Sequence, residues 1–264
     1  MRVLFVSDVM GAAGRTALEA LPSLVADLHA DYVIANGENA AGGFGITRPI
    51  ADELFEIGVN LITGGNHLWD RKEIGELLAD VREVLRPANY PPGVPGSGYG
   101  IFETKRGEKI AVLNLQGRVF MKELDCPFRC AAAAVEILRK ETPVIVVDVH
   151  AEATSEKVAM GWFLDGKVSA VIGTHTHVQT ADERVLPKGT GYITDAGMTG
   201  SFDSVIGIDK KAGISRFLTQ MPVRLVPAEG DLRVNGVVVD IESSTGTCTS
   251  IQRLSVPVDC EGNA

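Results

Sequence analysis

Ala170-Val171-Ile172-Gly173-Thr174-His175-Thr176-His177 puts a short apolar run, a glycine and a set of polar, metal-capable side chains in immediate succession. A run this short, bounded by turn-forming residues, fits a strand buried on both faces, and the polar residues then fall just past the strand end, where open α/β sheets place their ligands. The same form recurs up the chain. The apolar runs at 3–6, 32–35, 61–63, 111–115 and 144–149 also read as buried strands. Asp8 follows the first, Gly37-Glu38-Asn39 the second, Gly64-Gly65-Asn66-His67 the third, and His150 ends the run at 144–149.

Between these runs, apolar residues spaced by three and four predict helices over 15–28, 48–58, 71–80, 129–140 and 154–163, with Thr47 and Thr154 as capping residues. Strands alternating with helices imply an α/β fold, with a largely central sheet flanked by helices. After Gly191 the pattern changes to β runs at 192–194, 223–226, 232–241 and 249–254, which predict a second sheet packed on the first. The Pro/Gly-rich piece at 91–98 reads as a surface loop. There is no linker and no repeat at a fixed period, so one domain is expected over 1–264.

The 264 residues suffice for one large core, and 45% hydrophobic with 22% charged residues is a globular composition, so order is expected throughout. The longest apolar runs fall far short of the roughly 20 residues a spanning helix needs, which predicts no membrane association. Met1-Arg2-Val3-Leu4-Phe5-Val6 followed by polar Ser7-Asp8 reads as a strand and not as a signal core, so a cytoplasmic location is expected. The cysteines Cys126, Cys130, Cys248 and Cys260 have neither zinc spacing nor disulfide density and read as reduced thiols. A formal charge of −9 argues against a broad basic surface for long nucleic acid.

Four of the five histidines lie in the strand-end segments; the fifth, His29, reads as a surface or packing residue inside the first helix. Imidazole nitrogens mixed with carboxylate and amide oxygens suit Fe, Mn or Zn better than Mg or Ca. Asp8, Glu38, Asn39, Asn66, His67, His150, His175 and His177 supply more ligands than one ion uses, which points to two ions about 3.5 to 4 Å apart and to phosphoester chemistry. Taken singly, each has a plain structural reading: Asp8 as a helix cap, Glu38 and Asn39 as turn residues, His150 as a hydrogen-bonded strand end, Asn66-His67 as a tight turn. It is their joint placement at successive strand ends that favours metal. Asp70 either orients His67 or caps a helix from Arg71. Gly42-Gly43-Phe44-Gly45 either brings backbone N–H groups to a phosphate or is a turn before the helix after Thr47, and the segment 194–200 could line the pocket.

These segments resemble the calcineurin-like metallophosphoesterases, whose pattern is Asp-x-His, Gly-Asp, Gly-Asn-His, a lone His and Gly-x-His-x-His. Asp8-Val9-Met10 and Gly37-Glu38 depart from it: Met10 is no hard-metal ligand, and Asn39 stands ready to replace the missing histidine. With those departures, the stretches 37–47, 65–70, 150–157 and 174–182 are similar to the bacterial YmdB family over essentially the whole chain. The resemblance implies a four-layer αββα sandwich, a dinuclear site of iron or a similar metal, homo-oligomers, and phosphodiesterase activity on small cyclic nucleotides including the 2′,3′ type. Carried over residue by residue, it implies one ion on Asp8, Glu38, Asn39 and His177, a second on the bridging Glu38 with Asn66, His150 and His175, and His67 as general acid. A phosphomonoesterase or nucleotidase would share this core, and a regulatory protein that binds a phosphorylated ligand through its metals is the non-enzymatic rival.

Overall fold

The computed structural model describes residues 1–258, so the expectation for Cys260 lies outside the described residues. In chain order the strands are β1 (Arg2–Val6), β2 (Tyr32–Asn36), β3 (Leu61–Thr63), β4 (Val84–Leu85), β5 (Tyr99–Glu103), β6 (Lys109–Gln116), β7 (Ile145–His150), β8 (Ala170–Thr174), β9 (Arg184–Val185), β10 (Gly191–Ile193), β11 (Gly200–Ser201), β12 (Leu232–Glu242) and β13 (Thr247–Pro257). The helices are α1 (Gly11–Ala17), α2 (Leu21–Leu28), α3 (Arg48–Ile57), α4 (Ile74–Asp80), α5 (Pro127–Leu138), α6 (Thr154–Leu164) and α7 (Lys210–Thr219).

Two mixed sheets result. In the first, β1, β2, β3 and β4 run parallel, while β12 pairs antiparallel with β1 and carries β11 and β13. In the second, β6, β7, β8 and β10 run parallel, with β5 and β9 antiparallel at the edges. Because side chains alternate along a strand, each sheet buries two faces. Val3 and Phe5 of β1 meet Ile110, Val112, Val146 and Ile172 between the sheets, while Leu4 and Val6 pack against Leu18, Leu21 and Leu54 under the first helices. On the far side, Leu113, Val147 and Val171 pack against Val135, Leu138 and Met160 of α5 and α6. The layers are therefore helix, sheet, sheet, helix.

The predicted division of strands between sheets differs from this. The strands of the first two thirds are shared between both sheets, and the late β12–β13 hairpin extends the first sheet beside β1. The 223–226 stretch forms no strand, and α7 falls where the sequence pattern predicts no helix. The first helix begins at Gly11 and is broken by a 3-10 turn at Leu18–Ala20 ahead of Pro22. Neither threonine caps with its side chain: Thr47 makes no cap bond, and Thr154 lies inside α6, whose cap position is Ala153. His29 ends α2 in the left-handed region instead of lying inside it. Cys126, Cys130 and Cys248 are free thiols.

A buried polar layer ties the sheets together at the ends of the parallel strands. Asp148 of β7 accepts hydrogen bonds from Asn36 of β2 (3.0 Å), Thr63 of β3 (2.5 Å) and Thr174 of β8 (2.7 Å). Burial pushes its carboxyl above the usual carboxylate range, against these three donors. This layer is the floor on which the strand-end side chains stand.

Candidate metal centre

The carboxyl ends of β1, β2, β3, β7 and β8 meet at one end of the sandwich, and all eight predicted residues gather there. His150 Nε2 lies 3.0 Å from Glu38 Oε1, 3.0 Å from Asn66 Oδ1 and 3.0 Å from His175 Nδ1. Ligand atoms of Glu38, His150 and His175 all fall within 4.8 Å of one another. A second cluster shares Glu38: the Asn39 amide is 3.1 Å from Glu38 Oε1 and 3.3 Å from His177 Nε2, which is 3.8 Å from Asp8 Oδ1. The Asn39 nitrogen faces the cluster, and a half-turn of the amide presents its oxygen at the same place.

The outer nitrogen of each clustered histidine has an acceptor, and this fixes what its inner nitrogen offers. His177 Nδ1 donates to the Ile206 carbonyl at 2.9 Å, and His175 Nε2 donates to Glu152 at 3.1 Å. The Thr174 hydroxyl gives its proton to Asp148, so at 3.0 Å it accepts from His150 Nδ1. His175 and His177 therefore turn a lone pair inward, and His150 offers one once the proton it shares with Glu38 is displaced; each ring is oriented by a partner behind it, as metal-ligating histidines are. Asp8 Oδ1 is fully buried and has no hydrogen-bond partner. Such an orphaned acceptor, beside converging nitrogen and oxygen donors, fits a pair of cations.

The charges agree. Burial lifts Asp8 to about 6 despite the pull of His177 and His150. Burial also opposes ionisation of Glu38, yet His150 and His67 hold it down at about 2; on His150 the same burial is outweighed by Glu38, and its pKa rises to about 9. His175 is pushed down to about 3 by burial and by His150. A cation entering between Glu38 and His150 has one proton to displace, so binding is coupled to proton release.

Gly65 makes the cup possible. A Cβ there would stand 2.3 Å from Glu38 Oε2 and 2.4 Å from His150 Nε2. His67 turns away from the clusters: its backbone N–H donates to Glu38 Oε2 at 2.9 Å, its ring meets Phe44 edge-on at 5.0 Å, and its Nδ1 lies 2.8 Å from Asp70. That settles Asp70 as the partner of His67, and the next helix starts only at Ile74. In the Gly42–Gly45 loop the Gly43 N–H donates to the Asn39 carbonyl and the Phe44 N–H to the Ala41 carbonyl, as in a turn leading to α3. Arg71 clamps the loop through the Phe44 and Ala41 carbonyls.

A model of the family described as YmdB-like protein matches residues 4–254. The chain belongs to the YmdB-like family. It is 49% identical to the 2′,3′-cyclic-nucleotide 2′-phosphodiesterase of Bacillus subtilis, over 98% of each chain. Among solved structures it is similar to a hypothetical protein from Thermus thermophilus (TM-score 0.91, 44% identity, 97% of this chain and 99% of that one). It is also similar to a structure described as a novel phosphatase of Mycoplasma pneumoniae (TM-score 0.91, 32% identity, 97% and 93%).

In this YmdB-like chain the centre opens into a cleft of about 410 Å³. Phe44, Met10, Ile206, Ile208 and Leu225 give it an apolar wall, and Arg216 brings a guanidinium to its rim. Met10 packs with Met198 and Ile208, so it fills space where the superfamily pattern has histidine. Sequence reading missed Asp148, Glu152, Lys157 and the place of Asp195. A charged residue inside the apolar run at 144–149 was the available signal for the first; nothing in spacing marked the others.

Proposed function

We propose that the chain hydrolyses small cyclic phosphodiesters, 2′,3′-cyclic nucleotides first among them, at a two-metal centre. The supporting observation is the pair of ligand clusters that share Glu38, with three histidine nitrogens and the orphaned Asp8 oxygen turned into them. Asp8, Glu38, Asn39 and His177 would hold one ion, and Glu38, Asn66, His150 and His175 the other. Iron is the metal we favour, with Mn and Zn compatible with the same N,O set. Held there, the ions would polarise phosphoryl oxygens and lower the pKa of a bound water. The relative from B. subtilis, named for the same diester bond, supports the substrate class.

The chain's own residues do the rest. His67, held by Asp70 through Nδ1, keeps Nε2 for the cleft and gives its proton to the 2′ oxygen as the P–O2′ bond breaks. The water oxygen ends on phosphorus, and the product is a nucleoside 3′-phosphate. Phe44 sits edge-on to the imidazole and limits its rotation. A small cleft with Arg216 at its rim suits a compact monoanion better than a long polyanionic nucleic acid.

The test is product analysis on purified protein given 2′,3′-cyclic nucleotides and simple phosphomonoesters. Formation of the 3′-phosphate, lost with a chelator and restored by metal, is expected. Turnover of monoesters with no ring opening would replace this reading with a phosphomonoesterase.

A further inference from the structure

His175 and His177 both lie in the left-handed region, at φ 99° and 64°, although neither is glycine. Such backbone is costly for any residue with a Cβ and persists only where the surroundings impose it. What imposes it here is buried beneath the turn. Asp195 Oδ2 accepts from the Thr176 N–H (3.1 Å), from the Thr176 hydroxyl (2.7 Å) and from Lys157 Nζ (2.7 Å), while Oδ1 accepts from Gly197 N–H (2.8 Å). Lys157 Nζ also donates to the Thr174 carbonyl at 3.1 Å, one residue before the turn. Asp195 and Lys157 are both fully buried. Gly173 allows this close approach, since a Cβ there would lie 1.8 Å from the Thr194 carbonyl oxygen and 2.7 Å from the Lys157 stem.

A buried ion pair is a weak source of net stability, because desolvation offsets its attraction. Its partners here, however, are the backbone atoms on either side of His175 and the side chain between the two histidines. On the far side the His175 N–H donates to Asp8 at 3.2 Å, so the turn is held between two buried carboxylates. We propose that Lys157 and Asp195 are positioning residues that clamp the His175-Thr176-His177 turn and so set the affinity of both metal ions together. The inference rests on the two-metal reading above, since one histidine of the turn serves each ion. Neither residue touches the metals or the substrate; both act through the turn.

The experiment compares wild type, Asp195→Asn and Thr176→Val as full chains. Each is stripped of metal, checked for fold by far-UV circular dichroism, and titrated with Co(II) alone, reading affinity and the visible absorption of the loaded protein. Loss of a residue behind the ligands typically costs 10–100-fold in metal affinity. Asp195→Asn should therefore weaken both ions about 10- to 100-fold and change the Co(II) spectrum, and Thr176→Val, which loses only the hydroxyl contact, should weaken both by less. A folded Asp195→Asn that binds two ions with wild-type affinity and spectrum overturns the clamp while leaving the two-metal reading standing. If Asp195→Asn does not fold, Thr176→Val decides by the same criterion. A wild type that takes up fewer than two ions overturns the two-metal reading, and the clamp with it.

Discussion

Replacing His67 by alanine separates proton donation from metal binding. The imidazole touches Phe44 and Asp70, while the contact that supports the Glu38 carboxylate comes from its backbone N–H and survives the substitution. Metal content should stay at the wild-type level. A positioned general acid is worth about a hundred- to ten-thousand-fold, or roughly 3 to 5 kcal/mol of barrier at about 1.4 kcal/mol per tenfold. That loss should appear in kcat for a 2′,3′-cyclic nucleotide, whose leaving alkoxide needs a proton. With a nitrophenyl diester the leaving group departs unprotonated, and the loss should shrink to within about tenfold. Asp70→Asn, which keeps the imidazole but weakens its orientation, should fall between wild type and His67→Ala on the cyclic substrate. Stopped assays on both substrates, with metal quantified in the same samples, decide it. Equal losses on both esters would refute the acid role and favour charge stabilisation; unchanged rates would remove His67 from the mechanism.

Further outcomes follow from the same geometry. Gly65→Ala drives a Cβ into Glu38 and His150 and should remove both ions from a chain that still folds, read by metal analysis and circular dichroism. Asn39→Ala should release one ion of the two, whereas Met10→Ala, which empties a packing position beside Met198, should cost about 2–5 kcal/mol of stability and leave metal content unchanged. Asp182 accepts from the Thr194 N–H, the Thr194 hydroxyl and the Thr180 hydroxyl; burial opposes its ionisation, but these donors hold its pKa below the ordinary 3.8. Its folded pKa being depressed, the stabilisation is present above about pH 4 and is lost as pH falls through the folded value. Asp182→Asn should therefore cost about 1–3 kcal/mol at about pH 7, and the gap to wild type in thermal melts should narrow as pH falls through the folded value. A gap that stays constant would contradict this.

The strand-end side chains were legible because two signals coincide in the sequence: an apolar run too short for a helix, then a metal-capable residue. Asp8, Glu38, Asn66, His150 and His175 each sit where that pattern puts them. The allocation of strands to sheets was not legible, since pairing such as β1 with β12 joins residues far apart in the chain and leaves no local trace. Helix α7 escaped because its apolar residues Ile214, Phe217 and Leu218 are exposed and trace no buried stripe. Lys157 and Asp195 escaped for a related reason: a lysine in a helical pattern reads as a solvated charge until the fold brings a carboxylate 2.7 Å from it. The roles of the histidine nitrogens depend on acceptors as remote as the Ile206 carbonyl, which only the folded chain reveals.

The central claim is that Glu38 is shared by two metal ions. Metal quantification on anaerobically purified wild type and Glu38→Ala, side by side, tests it most directly. Two equivalents per chain in wild type and near none in Glu38→Ala are predicted. Two equivalents retained without Glu38, or a fully active wild type carrying fewer than two, would contradict it.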